Sequence, residues 1–133
     1  MDDLIPIGQM ARRAGVATSA IRYYERLGLL DPPERRGGHR AYPMAALRRL
    51  VFIGMLQDAG LQLDDIKVVI DAGEVGEWKA VAVERLAALD AEIERLRSAR
   101  DYLAGALLCR FDHPATDCQV MGDEIDRRLA AGG

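Results

Sequence analysis

Residues 77 to 108 limit the possible folds more than any other stretch. They contain no proline and a single glycine, Gly105, so nothing interrupts a helix of about nine turns. Ala82, Leu86, Leu89, Ile93, Leu96, Arg100, Leu103 and Leu107 recur at alternating spacings of four and three. That is a seam of about four heptads, apolar except at Arg100. Glu84, Arg85, Asp90, Glu92, Glu94, Arg95 and Arg97 cover the other faces. At 1.5 Å per residue such a helix is ~45 Å long, and a chain of 133 residues has too little left to cover its stripe. The helix needs a partner. Arg100 reads as a side chain snorkelling at the seam edge or as a charge that sets register across the pair.

Charge is divided unevenly along the chain. Between Arg12 and Arg49 nine Lys/Arg face three acids, Glu25, Asp31 and Glu34, a net of +6; from Leu50 onward nine Lys/Arg face sixteen acids, a net of −7. The whole-chain charge of −3 conceals this basic segment, whose balance suits a polyanion. No apolar run approaches ~18 residues, so no membrane span is expected. The start, Met-Asp-Asp, lacks a basic region leading into an apolar one, so no secretion signal is expected. With two cysteines and a cytoplasmic location expected, a structural disulfide is not anticipated.

Ile7, Met10, Ala11 and Ala14 fall on one face of a short helix, which Gly15 ends. After a turn at Val16–Ser19, with Ala17 or Thr18 near the N-cap, a second helix carries Ala-Ile-Arg-Tyr-Tyr-Glu-Arg-Leu-Gly-Leu-Leu from Ala20 to Leu30. Ile21, Leu27, Leu29 and Leu30 supply its apolar side, and Gly28 stands where a left-handed cap is needed. Arg22 and Arg26 bracket Tyr23 and Tyr24, groups that suit phosphate and sugar edges. A solvated surface helix would carry the same residues. Two helices joined by a Gly-containing turn within ~20 residues form the helix-turn-helix pattern.

Pro32 and Pro33 bar a helix at the next stretch. Arg35-Arg36-Gly37-Gly38-His39-Arg40-Ala41-Tyr42 then reads as a β-hairpin, a basic wing beside a basic helix. Pro43 opens a third helix at a permitted position, and Gly60 stops it. Leu47, Leu50, Val51, Gly54 and Met55 form its expected stripe. Asp64 and Asp65 stand in the first turn of a fourth helix. Phe52, Ile53, Leu56, Leu63, Ile66 and Ile70 are expected to complete the core with the first two helices. Gly73 and Gly76 bracket a break.

Ile7-Gly8-Gln9-Met10-Ala11, Ile21-Arg22-Tyr23-Tyr24-Glu25-Arg26-Leu27-Gly28-Leu29-Leu30, Arg40-Ala41-Tyr42 and Leu47-Arg48-Arg49-Leu50 resemble the MerR family of bacterial transcription regulators, in register from about Ile5 to Ala72. The resemblance implies a mainly α chain: a winged helix-turn-helix DNA-binding domain (residues 1–74), a dimerisation helix paired antiparallel as a coiled coil (75–108), and an effector-sensing loop and terminal helix (109–133). It implies a homodimer on double-stranded promoter DNA that activates RNA polymerase by kinking and untwisting an overlong spacer, deformation energy being exchanged for protein contacts. Carried over by position, Arg22, Tyr23 and Tyr24 would anchor phosphates or sugars, and Arg35, Arg36, His39, Arg40 and Tyr42 would form the wing contact. Thr18 and Ser19 would face the major groove. Many members have serine where this chain has Ala17 and a basic residue where it has Ser19, so the resemblance implies DNA binding but not the operator sequence.

Past the long helix, Cys109, His113 and Cys118 are soft and borderline ligands that one loop can gather around Zn(II) or a Cu(I)-like ion. Thr116-x-x-Gln119 reads as a capping box that places Cys118 in the first turn of a last helix through Val120, Ile125 and Leu129, where amide donors favour the thiolate. Metal-sensing relatives in the family carry a C-terminal loop of this kind. Those sensing divalent ions also use a cysteine at the start of the partner's long helix, and residues 74–80 contain none. Three readings stand for the loop: a metal site of Cys/Cys or Cys/His/Cys type, a thiol–disulfide switch between Cys109 and Cys118, or packed thiols with another effector or none. Trp78 and Tyr102 are candidates for an organic-effector pocket or for the dimer core. An accessory DNA-binding protein that senses nothing would need the basic half alone. No nucleophile–base pair, phosphate-binding glycine loop or paired catalytic carboxylates are legible, so an enzyme is not expected.

Overall fold

The computed structural model describes residues 3–108 and 112–132. In chain order its elements are β1 (Ile5–Pro6), α1 (Ile7–Ala14), α2 (Thr18–Arg26), β2 (Glu34–Arg36), β3 (His39–Tyr42), α3 (Met44–Asp58), α4 (Leu63–Asp71), α5 (Val75–Ala106), α6 (Pro114–Asp117) and α7 (Gln119–Gly132). They fall into two compact units, Met1–Arg85 and Leu86–Gly133. The first takes the opening turns of α5 with it.

In the first unit α1 and α2 form the expected helix-turn-helix. Gly15 ends α1 in the left-handed region, and its N–H caps the carbonyls of Ala11 and Arg12. Ala17 is the N-cap of α2. That helix is shorter than its apolar residues suggested: Leu27 is its C-cap, and Gly28 has φ +77°. The chain reverses there, and the Leu29 N–H bonds back to the Tyr24 carbonyl at 2.9 Å. Leu29 and Leu30 therefore enter the core from the loop, at 0% and 2% exposure.

The wing is one strand larger than the hairpin expected from the sequence. Strand order is β1-β3-β2, all antiparallel, with Ile5 opposite Tyr42 and Pro6 opposite Ala41. Two residues are too few to show an alternation, so β1 was invisible to pattern. Its effect is to fasten the wing's inner strand to the residues that lead into α1.

Met10, Ile21, Tyr24, Leu29, Leu30, Tyr42, Leu47, Leu50, Ile53 and Ile66 make one core. Leu56, Leu63 and Ile70 pack against it partly buried. The stripe expected on α3 is corrected here. Val51, Phe52 and Met55 are exposed, and the buried face is Leu47, Leu50 and Ile53. This helix is apolar on nearly every side, so periodicity cannot choose a face; packing against α1 and α4 does. Gly76 falls in the first turn of α5, so the break spans only residues 72–74.

No residue of α5 is buried. Leu86, Ile93, Leu96, Leu103 and Leu107 of the seam stand 48–87% exposed. In the second unit Arg128 of α7 lies over the Tyr102 ring of α5, 5.8 Å from its centroid. Glu124 takes bonds from Arg127 and Arg128, and these lower its carboxyl pKa to about 2.

The core makes a direct test available. Ile53→Ala should lower unfolding free energy by about 2–5 kcal/mol in denaturant titrations at fixed protein concentration. A loss below about 1 kcal/mol, the range of surface substitutions, would remove Ile53 from the core.

Candidate nucleic-acid interface

The basic segment folds into two adjoining elements, α2 and the β2–β3 wing, and Glu25 joins them. In β3, Arg40 and Tyr42 are two residues apart and so share a face of the strand. Both meet Glu25 on α2. The buried Tyr42 hydroxyl donates to Glu25 Oε1, and Arg40 Nε lies 3.5 Å from Glu25 Oε2. The Arg40 contact is an ion pair rather than a hydrogen bond: Nε is buried without a hydrogen-bond partner among the described residues. Glu25's side chain is only 12% exposed, so solvent screens this pair less than a surface one.

Two residues expected to face DNA are buried in this arrangement. Tyr42 has no exposed surface, and Tyr24 is 8% exposed. Tyr24 follows Ile21 by three residues and shares its inward face; its hydroxyl reaches Gln57 Oε1 on α3 at 3.4 Å. Both hydroxyls are engaged inside the unit. Their work is to set α2 against the wing and α3. Tyr23 is 43% exposed, with Arg26 5.6 Å over its ring, and it remains at the surface with its neighbours.

Arg26, Arg35, Arg36 and His39 are exposed, and Arg22 is half-exposed. Among the described residues no carboxylate pairs with Arg22, Arg26, Arg35 or Arg36. In the wing, Arg35 stands directly opposite Arg40, and Arg36 opposite His39. Like charges across an antiparallel pair oppose folding, and Glu25 offsets only Arg40. A polyanion would offset the rest. Gly37 and Gly38 turn the hairpin with φ +58° and +81°, two successive positive φ values that a side chain tolerates poorly. At the start of α2, Thr18 is half-buried and Ser19 exposed. Ala17 offers no side-chain cap, so the first-turn amides are left for water or an anion.

Glu25 went unassigned in the sequence. Its signal was there, as one of only three acids between Arg12 and Arg49, set inside an arginine-tyrosine run. Arg12 and Arg13, exposed in the last turn of α1, are further cations of this unit.

The proposed sensing residues are only partly described. Cys109 lies outside the described residues. His113 is exposed and precedes α6, and Cys118 is buried at 5% exposure. Cys118 is not in the first turn of α7 but between α6 and α7, in extended geometry, where its carbonyl accepts the Gly122 N–H at 2.8 Å. Thr116 is no capping-box residue; it sits within α6, and its hydroxyl donates to the His113 carbonyl. Pro114 starts that extra turn, which breaks the four-residue pattern. Among the described residues no three His, Cys, Asp or Glu side chains converge as a metal site.

The buried Tyr42–Glu25 bond predicts an alkaline weakness. Burial first, then the hydrogen bond and the charge of Glu25, raise the Tyr42 phenol above its ordinary value of 10.0. The folded state thus holds this proton more tightly than the unfolded state. Its contribution is complete below pH ~10 and is lost as pH rises further. Tyr42→Phe should flatten the fall in denaturant midpoint between about pH 10 and about pH 12; an unchanged slope would contradict the assignment.

Comparison with known proteins agrees with the fold. The model described as MerR HTH family regulatory protein matches residues 5–73, and that described as MerR, DNA binding matches residues 47–106. The chain is 32% identical over 124 residues, covering 88% of it and 93% of the relative, to the uncharacterized HTH-type transcriptional regulator PA4778 of Pseudomonas aeruginosa. It is 32% identical over 114 residues, covering 81% of it and 77% of the relative, to the HTH-type transcriptional activator SoxR homolog of Chromobacterium violaceum. Among solved structures it resembles the transcription regulator PbrR691 from Ralstonia metallidurans CH34 in complex with lead(II), with a TM-score of 0.62 and 25% identity over 90% of this chain and 98% of that one. No helix among the described residues is long and apolar enough to cross a membrane. The chain is a transcriptional regulator rather than an enzyme, and it belongs to the MerR family.

Proposed function

We propose that two copies of this chain pair antiparallel through α5 and bind a pseudo-palindromic promoter operator, one half-site per copy. The observation that carries the reading is the set of cations without carboxylate partners on α2 and the wing, braced on Glu25. Arg22 and Tyr23 grip the phosphate backbone from α2, while Arg35, Arg36 and His39 grip it from the wing. Arg40, paired with Glu25, stands beside them on the wing. Thr18 and Ser19, at the uncapped start of α2, read base edges. Binding bends and untwists the promoter, and so places its elements for RNA polymerase.

The response is set by the loop between α5 and α7. Cys118 supplies a thiolate and His113 an imidazole, with Cys109 as the third donor, a set suited to a soft or borderline metal ion such as Zn(II) or Cu(I). A structural relative bound to lead(II) supports a metal ion over other effectors. The short extra turn α6 brings Cys118 to the start of α7, so a ligand there would act on the second unit directly.

Two measurements test these halves separately. Arg22→Ala should weaken binding to every duplex tested and make log K against log salt shallower by about one; unchanged affinity and slope would exclude Arg22 from the grip. Elemental analysis with a thiol count, on protein purified without chelator, should give stoichiometric metal that Cys118→Ser removes without loss of operator binding. Two reactive thiols without metal would exclude the metal site, and a disulfide would replace it with a redox switch.

A further inference from the structure

One side chain of the dimerisation helix, Arg85, ties its opening turns to the DNA-reading elements. Helix α4 ends at Asp71 and α5 begins at Val75, so Ala72, Gly73 and Glu74 alone link them. Ala72 has left helical geometry, and Gly73 has open space around it. On the α4 side the link is not packed: Asp64, Asp71 and Glu77 line a cleft of about 390 Å³ with Lys67 and Val68. Lys67 pairs with Asp71 there at 2.7 Å, and Asp64 and Glu77 have no cation partner among the described residues.

Three turns into α5, Arg85 crosses to the far end of α3. Its Nε donates to the carbonyl of Ala59, the C-cap residue, at 2.8 Å. Carbonyls at a helix C-terminus lack intrahelical partners and carry the negative end of the dipole, so a guanidinium suits the position. Gly60 beside it is fitted to the contact twice over. Its φ of +88° suits glycine, and a Cβ there would fall 2.6 Å from Arg85 Cζ. A side chain at residue 60 would thus displace the guanidinium. The seam begins at Ala82, within the same compact unit, so the bond is made where dimer pairing starts.

We infer that Arg85 is a positioning residue for operator spacing: it fixes the setting of each DNA-reading unit on α5, and so the separation of half-sites that the dimer accepts. The inference rests on the homodimer–operator reading above. Without Arg85 that tie is lost, and each reading unit accommodates several separations. With it, a wrong separation denies the second half-site and forfeits the avidity of the pair.

The test uses the full chain and a duplex selected by the wild-type protein from random sequence, then resynthesised with the half-sites moved one or two base pairs closer or farther. Moving them by about two base pairs should cost wild type on the order of 100-fold in affinity. In Arg85→Ala the same change should cost less than about tenfold, while affinity for an isolated half-site is unchanged. Arg85→Lys, which keeps a donor and a cation at the α3 terminus, should restore the discrimination. Arg85→Ala discriminating as wild type does would overturn the inference alone. Selection that returns no paired half-sites, or a wild type indifferent to spacing, would overturn the homodimer–operator reading with it.

Discussion

An apolar stripe that its own chain leaves uncovered governs this protein. α5 runs 32 residues from Val75 to Ala106 without one buried position, and the seam leucines stand open along it. Burial of apolar surface yields roughly 25 cal/mol per Å², so a stripe of this length in water is a strong drive toward a complementary surface. A second α5 is the surface whose periodicity matches. Under the proposed pairing, two reading units would come onto one DNA molecule, and a sequence-reading monomer would become a reader of paired half-sites.

Within each reading unit the charge is spent with similar economy. The three-stranded wing would be a poor structure alone, because its arginines face one another and its outer strand is wholly exposed. β1 on one edge and Glu25 beneath it hold the wing in place. Glu25 takes the Tyr42 hydroxyl and the Arg40 guanidinium together, so one carboxylate sets the angle between wing and α2. Only the arginines left over face outward. The same device recurs at the far side of the unit, where Arg85 meets the end of α3. Polar contacts here orient elements, and the apolar core from Met10 to Ile66 holds them.

Elements with strong local signals were legible in the sequence. α1, the turn at Gly15, the Gly37–Gly38 hairpin and α5 fall close to where spacing, glycine and proline put them. The failures share a physical cause, since each depended on a neighbour that pattern cannot see. α3 is apolar all round, so its buried face was decided by α1 and α4. Tyr24 and Tyr42 looked like surface phenols because phosphate binding and a buried hydrogen bond call for the same residue. β1 was too short to alternate, and Arg85 was one charge among many on α5 until Ala59 appeared beside it. At the sensing end, Thr116 and Gln119 had the spacing of a capping box, but Pro114 starts a turn of its own and shifts Cys118 out of α7.

The claim on which the account turns is that α5 is covered by a second copy. Sedimentation equilibrium of the full chain, at micromolar concentration and without DNA, measures this directly. One chain has a mass of 14.6 kDa. The account predicts a species of twice that mass that persists on dilution. A single species of one chain's mass would contradict it.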